Sequence, residues 1–67
     1  MNQTVKVFYD VMPDNTVSVL VQGSCDWDLL MSYRSLVQWC EMELGSFELI
    51  DITDTTYQQR RIMGVFA

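Results

Sequence analysis

Two short runs in which apolar residues alternate with polar ones stand on either side of Met12-Pro13-Asp14-Asn15. Val5, Val7, Tyr9 and Val11 share one side of the first run, and Val17, Val19 and Val21 share one side of the second. A period of two is the signature of a strand buried on one face. Proline presets φ, Asp and Asn supply side-chain turn bonds, and Asn tolerates positive φ, so the segment between the runs reads as a tight turn. Residues 4–22 are therefore expected to form a β-hairpin whose apolar face needs a cover. Phe8 and Leu20 stand on the polar faces of their strands as breaches in the pattern.

The expected cover is a helix over 26–44. At 100° per residue, Leu29, Tyr33, Leu36, Val37, Cys40 and Leu44 fall on one side, with Leu30 at the margin. Ser24 or Asp26 would be the N-cap, Asp26 and Asp28 would complement the helix dipole, and Gly45 would take the left-handed position past the end. The opposite side carries Met31, Ser35, Trp39 and Met42, flanked by Arg34 and Gln38 on one edge and Asp28 and Glu43 on the other. One helix on one sheet buries one face. This second stripe is thus either an interaction surface or is covered by the C-terminal segment, and Trp and Met are residue types enriched at interface centres.

Residues 47–66 read as a second hairpin. Phe47, Leu49, Ile50 and Ile52 mark a third strand whose alternation slips at Leu49-Ile50, through a bulge or burial on both faces. Asp54-Thr55-Thr56 reads as a turn, and Tyr57 to Phe66 as the last strand, with Gly64 at a bulge or close approach. Arg60 and Arg61 would then point to opposite faces, one of them pairing with Asp51 or Glu48. The expected fold class is α+β, a ββαββ two-layer sandwich of one four-stranded antiparallel sheet with one helix across one face, in a single domain.

Several chemistries lack their residues. The chain has no histidine, which removes the commonest general base and the commonest metal ligand. Cys25 and Cys40 form no CxxC pair, and on one helix their Cα atoms would be about 22 Å apart, far beyond disulfide reach. Cys40 on the core stripe would be an inert small hydrophobe, and two unpaired thiols fit a reducing compartment. No glycine-rich phosphate loop or EF-hand spacing is present. The carboxylate pairs Asp26/Asp28 and Asp51/Asp54 are better explained by a helix dipole and a turn than by acid–base chemistry. No catalytic, cofactor or metal residue is expected.

At 67 residues the chain is near the lower size at which a core alone sustains a fold, and 49% apolar with 12% aromatic residues argues for a packed globule. No apolar run reaches the ~20 residues a bilayer span needs. The first residues lack a basic region followed by an apolar core, so the expectation is a complete, cytoplasmic gene product without a signal peptide. A net charge of −5 repels phosphate backbones and favours a basic partner.

These features lead to two expectations. The first is a small acidic protein-binding module, an inhibitor of the phage-type anti-host or anti-defence kind in size and charge. It would block a basic site on a larger protein, including a site that normally grips nucleic acid. Met31, Ser35, Trp39 and Met42 would anchor it, with Asp28, Glu41, Glu43, Glu48, Asp51 and Asp54 as the acidic surround. The second is a structural or assembly subunit that forms homodimers through the helix stripe, with Ser35 at the crossing, or through an edge strand such as Val5–Val11 or Ile62–Phe66.

Overall fold

The computed structural model describes residues 4–65. In chain order the elements are β1 (Val5–Val11), β2 (Val17–Val21), β3 (Asp28–Leu30), α1 (Tyr33–Glu43), β4 (Phe47–Asp51) and α2 (Tyr57–Met63). The class is α+β, with one four-stranded mixed sheet in the order β3-β2-β1-β4 and two helices.

The first hairpin forms where the alternation places it. β1 and β2 pair antiparallel with Tyr9 opposite Val19. The Asn15 amide donates to the Met12 carbonyl, Asn15 takes φ 71°, and the Met12 amide donates to the Thr16 carbonyl. This is a type I-like turn closed by a left-handed residue, a common three-residue hairpin loop. The Asp14 carboxylate accepts from the Thr16 amide (3.0 Å) and hydroxyl (2.6 Å).

The expected helix over 26–44 is corrected at its start. Asp28–Leu30 is a strand paired antiparallel to β2, with Leu30 opposite Val17 and Asp28 opposite Val19. The N-cap is neither Ser24 nor Asp26 but Ser32, whose side chain accepts from the Ser35 amide at 3.1 Å. A serine in the middle of an apparent helix offers its hydroxyl to the backbone, so the helix begins there. At the far end the Leu44 and Gly45 amides both reach the Cys40 carbonyl, and Gly45 sits at φ 72°. Glycine takes this conformation without the steric cost a Cβ would bring.

The expected second hairpin is also corrected. β4 pairs with β1, but in parallel, with Leu49 opposite Val7. Because β3 is antiparallel to β2 and β2 to β1, β3 and β4 run the same way, joined by α1 across the two strands between them. Residues 57–63, expected as strand, are helix α2; Phe66 lies outside the described residues. Thr56 caps α2 by accepting from the Gln59 amide, while the Gln59 side chain accepts from the Thr56 amide. This reciprocal capping box satisfies two orphan donors at once. Gly64 closes the helix at φ 88°.

The sheet is consequently covered on both faces, not one. On the α1 side, Val7, Val17, Val19, Leu36 and Cys40 are buried together, with Leu30, Trp39, Leu44, Phe47 and Leu49 packed against them. On the α2 side, Phe8, Leu20, Ile52 and Val65 are buried with Ile50 and Met63 around them. The breaches at Phe8, Leu20 and Ile50 all belong to this second core, so the Leu49-Ile50 slip records burial on both faces.

Candidate functional site: the open β3 edge and the Trp39 cleft

Backbone geometry decides which groups the β3 edge presents. In the first hairpin, Gln22 donates to Lys6 and Met12 donates to Thr16, so even-numbered residues of β1 and β2 bond one another. Hydrogen bonding alternates along an antiparallel strand. Val17 and Val19 therefore face β3 and bond to Leu30 and Asp28. The N–H and C=O of Leu29 are directed the other way, to the open edge of the sheet. β1, by contrast, lies between β2 and β4, so it is no edge, and Ile62 is helical; neither can pair across subunits as expected from sequence. The two edges are β3 and β4.

Apolar side chains gather at the β3 edge. Trp27, Leu29, Met31 and Tyr33 are all exposed, Leu29 at 67% and Met31 at 81%. On the α1 side of the sheet a cleft of about 250 Å³ is lined by Val19, Asp28, Leu29, Leu30 and Trp39. Trp39 is half-buried, resting against the α1-side core while forming one wall of this cleft. A larger hollow of about 350 Å³ beside Gln58, Arg61 and Ile62 draws its walls from a single short helix, so we regard it as a surface depression.

The anchor stripe expected from the sequence is thus divided. Met31 precedes the helix, Ser35 bonds with the Ser32 cap, Trp39 faces the cleft, and Met42 is exposed near the far end of α1. Leu29, expected in the core, is exposed on the edge strand. The acidic surround divides as well. Asp28 is on β3 and Glu41 and Glu43 are on α1, whereas Glu48 and Asp51 are on β4, three strand spacings or about 14 Å away. Asp54 occupies a left-handed turn position at φ 65°. Asp51 has local work: it accepts from the Thr53 amide at 2.8 Å, and its charge is one reason the Tyr9 hydroxyl is held above its ordinary pKa, after burial. Of the expected residues, Met31, Trp39 and Asp28 are brought to the β3 side. Trp27 and Leu29 were missed, although they alternate with Asp28 and Leu30 as a strand would.

Charge at this edge is unbalanced. Among the described residues the one ion pair joins Arg60 to Asp10 at 3.2 Å, instead of to Asp51 or Glu48. No described cation is within ion-pairing distance of Asp26 or Asp28. Both thiols are free, with Cys25 exposed and Cys40 buried; burial pushes the Cys40 thiol up. No group of three or more metal-ligating side chains occurs among the described residues, and no described helix is long and apolar enough to cross a membrane.

No known protein family, curated protein or solved structure matches the chain.

Proposed function

We propose that the chain is a small acidic protein-binding module that covers a basic surface on a larger protein and thereby inhibits it. The observation that carries this reading is the β3 edge, where exposed Trp27, Leu29 and Met31 lie beside carboxylates that no cation of the described chain meets. Exposed apolar residues provide the area, and unpaired Asp26 and Asp28 select a positively charged partner. A partner that normally grips nucleic acid fits the net charge of −5. The inhibitory role, of the phage-type anti-host or anti-defence kind, rests on size and charge.

The test is capture from nuclease-treated bacterial lysate at low and moderate salt, with the intact chain and with a Leu29→Ser, Met31→Ser double variant, which removes the apolar anchor without changing the charge. Both side chains are exposed, so the variant should keep the circular dichroism of the parent. The expected result is a basic protein retained near stoichiometry by the parent at low salt and lost by the variant. Retention that the double variant leaves unchanged would remove the β3 edge from the interface. A second reading, self-assembly, draws support from the other open edge at β4. A dimer in sedimentation that survives dilution, with no foreign protein captured, would favour it.

A further inference from the structure

We propose that the β3 edge recognises its partner by strand addition, pairing antiparallel with an extended segment that reads apolar, any residue, then Lys or Arg. This rests on the protein-binding reading above and specifies its mode. Leu29 offers its N–H and C=O to the open edge, so one residue of an incoming strand can exchange both bonds with it. Antiparallel pairing makes the stronger bonds and places residues opposite one another on the same face. The residue facing Leu29 therefore points to the α2 side. Its two neighbours point to the α1 side, one opposite Leu30 and one opposite Asp28.

Those two positions have different chemistry. The neighbour opposite Leu30 lies beside the Val19, Leu30 and Trp39 walls of the cleft, which are apolar; the one carboxylate in the lining is that of Asp28. The neighbour opposite Asp28 meets an exposed carboxylate with no cation within ion-pairing distance. A strand antiparallel to β3 reaches Leu30 first and Asp28 last, and this fixes the order of the triplet. The same register disfavours a second copy of this chain. A two-fold centred on Leu29 would set Asp28 of the copy against Leu30 and the apolar walls beside it, and Leu30 of the copy against Asp28. That pairing desolvates a carboxylate without a partner.

The experiment uses the full chain and blocked heptapeptides of threonine with Val-Thr-Lys at the three central positions, followed by amide and indole NMR shifts. The expected result is saturable movement of the Leu29 amide and the Trp39 indole. Reversing the triplet to Lys-Thr-Val, or replacing Lys by Glu, should weaken binding about tenfold, the worth of one charge-assisted contact. Of the backbone groups, Leu29→Pro deletes only an outward N–H, which an edge strand tolerates, and should abolish binding while leaving the fold, whereas Leu29→Ala, which trims the side chain and keeps the N–H, should still bind. If the proline variant fails to fold, Asp28→Lys serves instead and should invert the preference from Lys to Glu. Equal binding of the forward and reversed peptides, or binding that Leu29→Pro leaves intact in a folded protein, overturns strand addition. Shifts confined to α1 on adding the Lys peptide, or no shift anywhere, would overturn it, while the basic-partner reading stands or falls on the capture experiment. Self-association that Leu29→Pro abolishes would make the occupant a second copy and overturn the proposal.

Discussion

The two faces of the sheet are covered in different ways. α1 reaches its face with apolar side chains, Leu36 and Cys40 fully buried among Val7, Val17 and Val19, with polar contacts at the Ser32 cap and between Tyr33 and Tyr9. α2 is shorter and has no buried residue of its own; Met63 and, just beyond it, Val65 reach the second core. Polar anchors supply the rest. The Arg60 guanidinium donates to Asp10 (3.2 Å), the Ile52 carbonyl (3.1 Å) and the Thr55 hydroxyl (2.8 Å). A helix too short to nucleate alone is thus held by a capping box at one end and a forked cation along its side. One face depends on volume, the other on a few directed bonds.

Removing volume on the α1 face should have the largest effect. Leu36→Ala empties a fully buried site and should cost about 2–5 kcal/mol, read as a lower urea midpoint with both helices lost together. Loss of α1 alone, with α2 still protected from hydrogen exchange, would break the comparison by making the faces independent. Removing the cation on the other face should cost less and act locally. Arg60→Met keeps the apolar stem but leaves Asp10, whose side chain is one-fifth exposed, without its partner. The expected loss is about 1.5–3 kcal/mol, with exchange of the Tyr57–Met63 amides accelerated and the Tyr33–Glu43 amides unchanged. Thr56→Ala removes one arm of the capping box and should cost about 1 kcal/mol, again confined to α2.

The same division explains what the sequence could show. β1 and β2 were legible because alternation, turn and pairing all lie within one short stretch. The second core was visible only as Phe8, Leu20 and Ile50, three residues on the wrong face of their strands. Each taken singly is a breach; placed in register they share one face, and that is the signal of a second cover. Thr56-x-x-Gln59 followed by Gly64 also spelled a capped helix. Over seven residues, however, a period of 3.6 cannot be separated from a period of two, and with Asp54-Thr55-Thr56 read as a turn, Tyr57, Arg61, Met63 and Val65 fit one side of a strand. β3 was lost for the same reason, since three residues have no period, and Ser32 was passed over as an interior residue. The parallel β1–β4 pairing is a non-local choice that no local pattern records. At the candidate site, Trp39, Met31 and Asp28 stood out by residue type. Leu29 did not, because a helical projection sent it to the core.

The smallest expected effect is on pH dependence, and it sharpens the contrast because it belongs to the α1 face. Burial holds the Cys40 thiol above its ordinary value of 9.0. Burial, then the Asp51 charge and Tyr33, hold the Tyr9 hydroxyl above its ordinary 10.0. Both groups stay protonated in the folded chain at pH values where the unfolded chain ionises. The unfolded state therefore binds fewer protons, and stability falls as pH rises, first through the thiol and then through the phenol. Below these values the contribution is fully present. Cys40→Val should remove the earlier part of the alkaline loss and Tyr9→Phe the later part, measured as urea midpoints between pH 8 and 11. Asp14 carries the opposite sign: bonds from Thr16 hold its carboxyl below the ordinary 3.8, so its contribution is present above that value and is lost on acidification. Being fully exposed in a turn, it should alter the acid limb only slightly. An alkaline loss that survives the Cys40 and Tyr9 replacements together would mean that proton-linked stability does not reside on the α1 face.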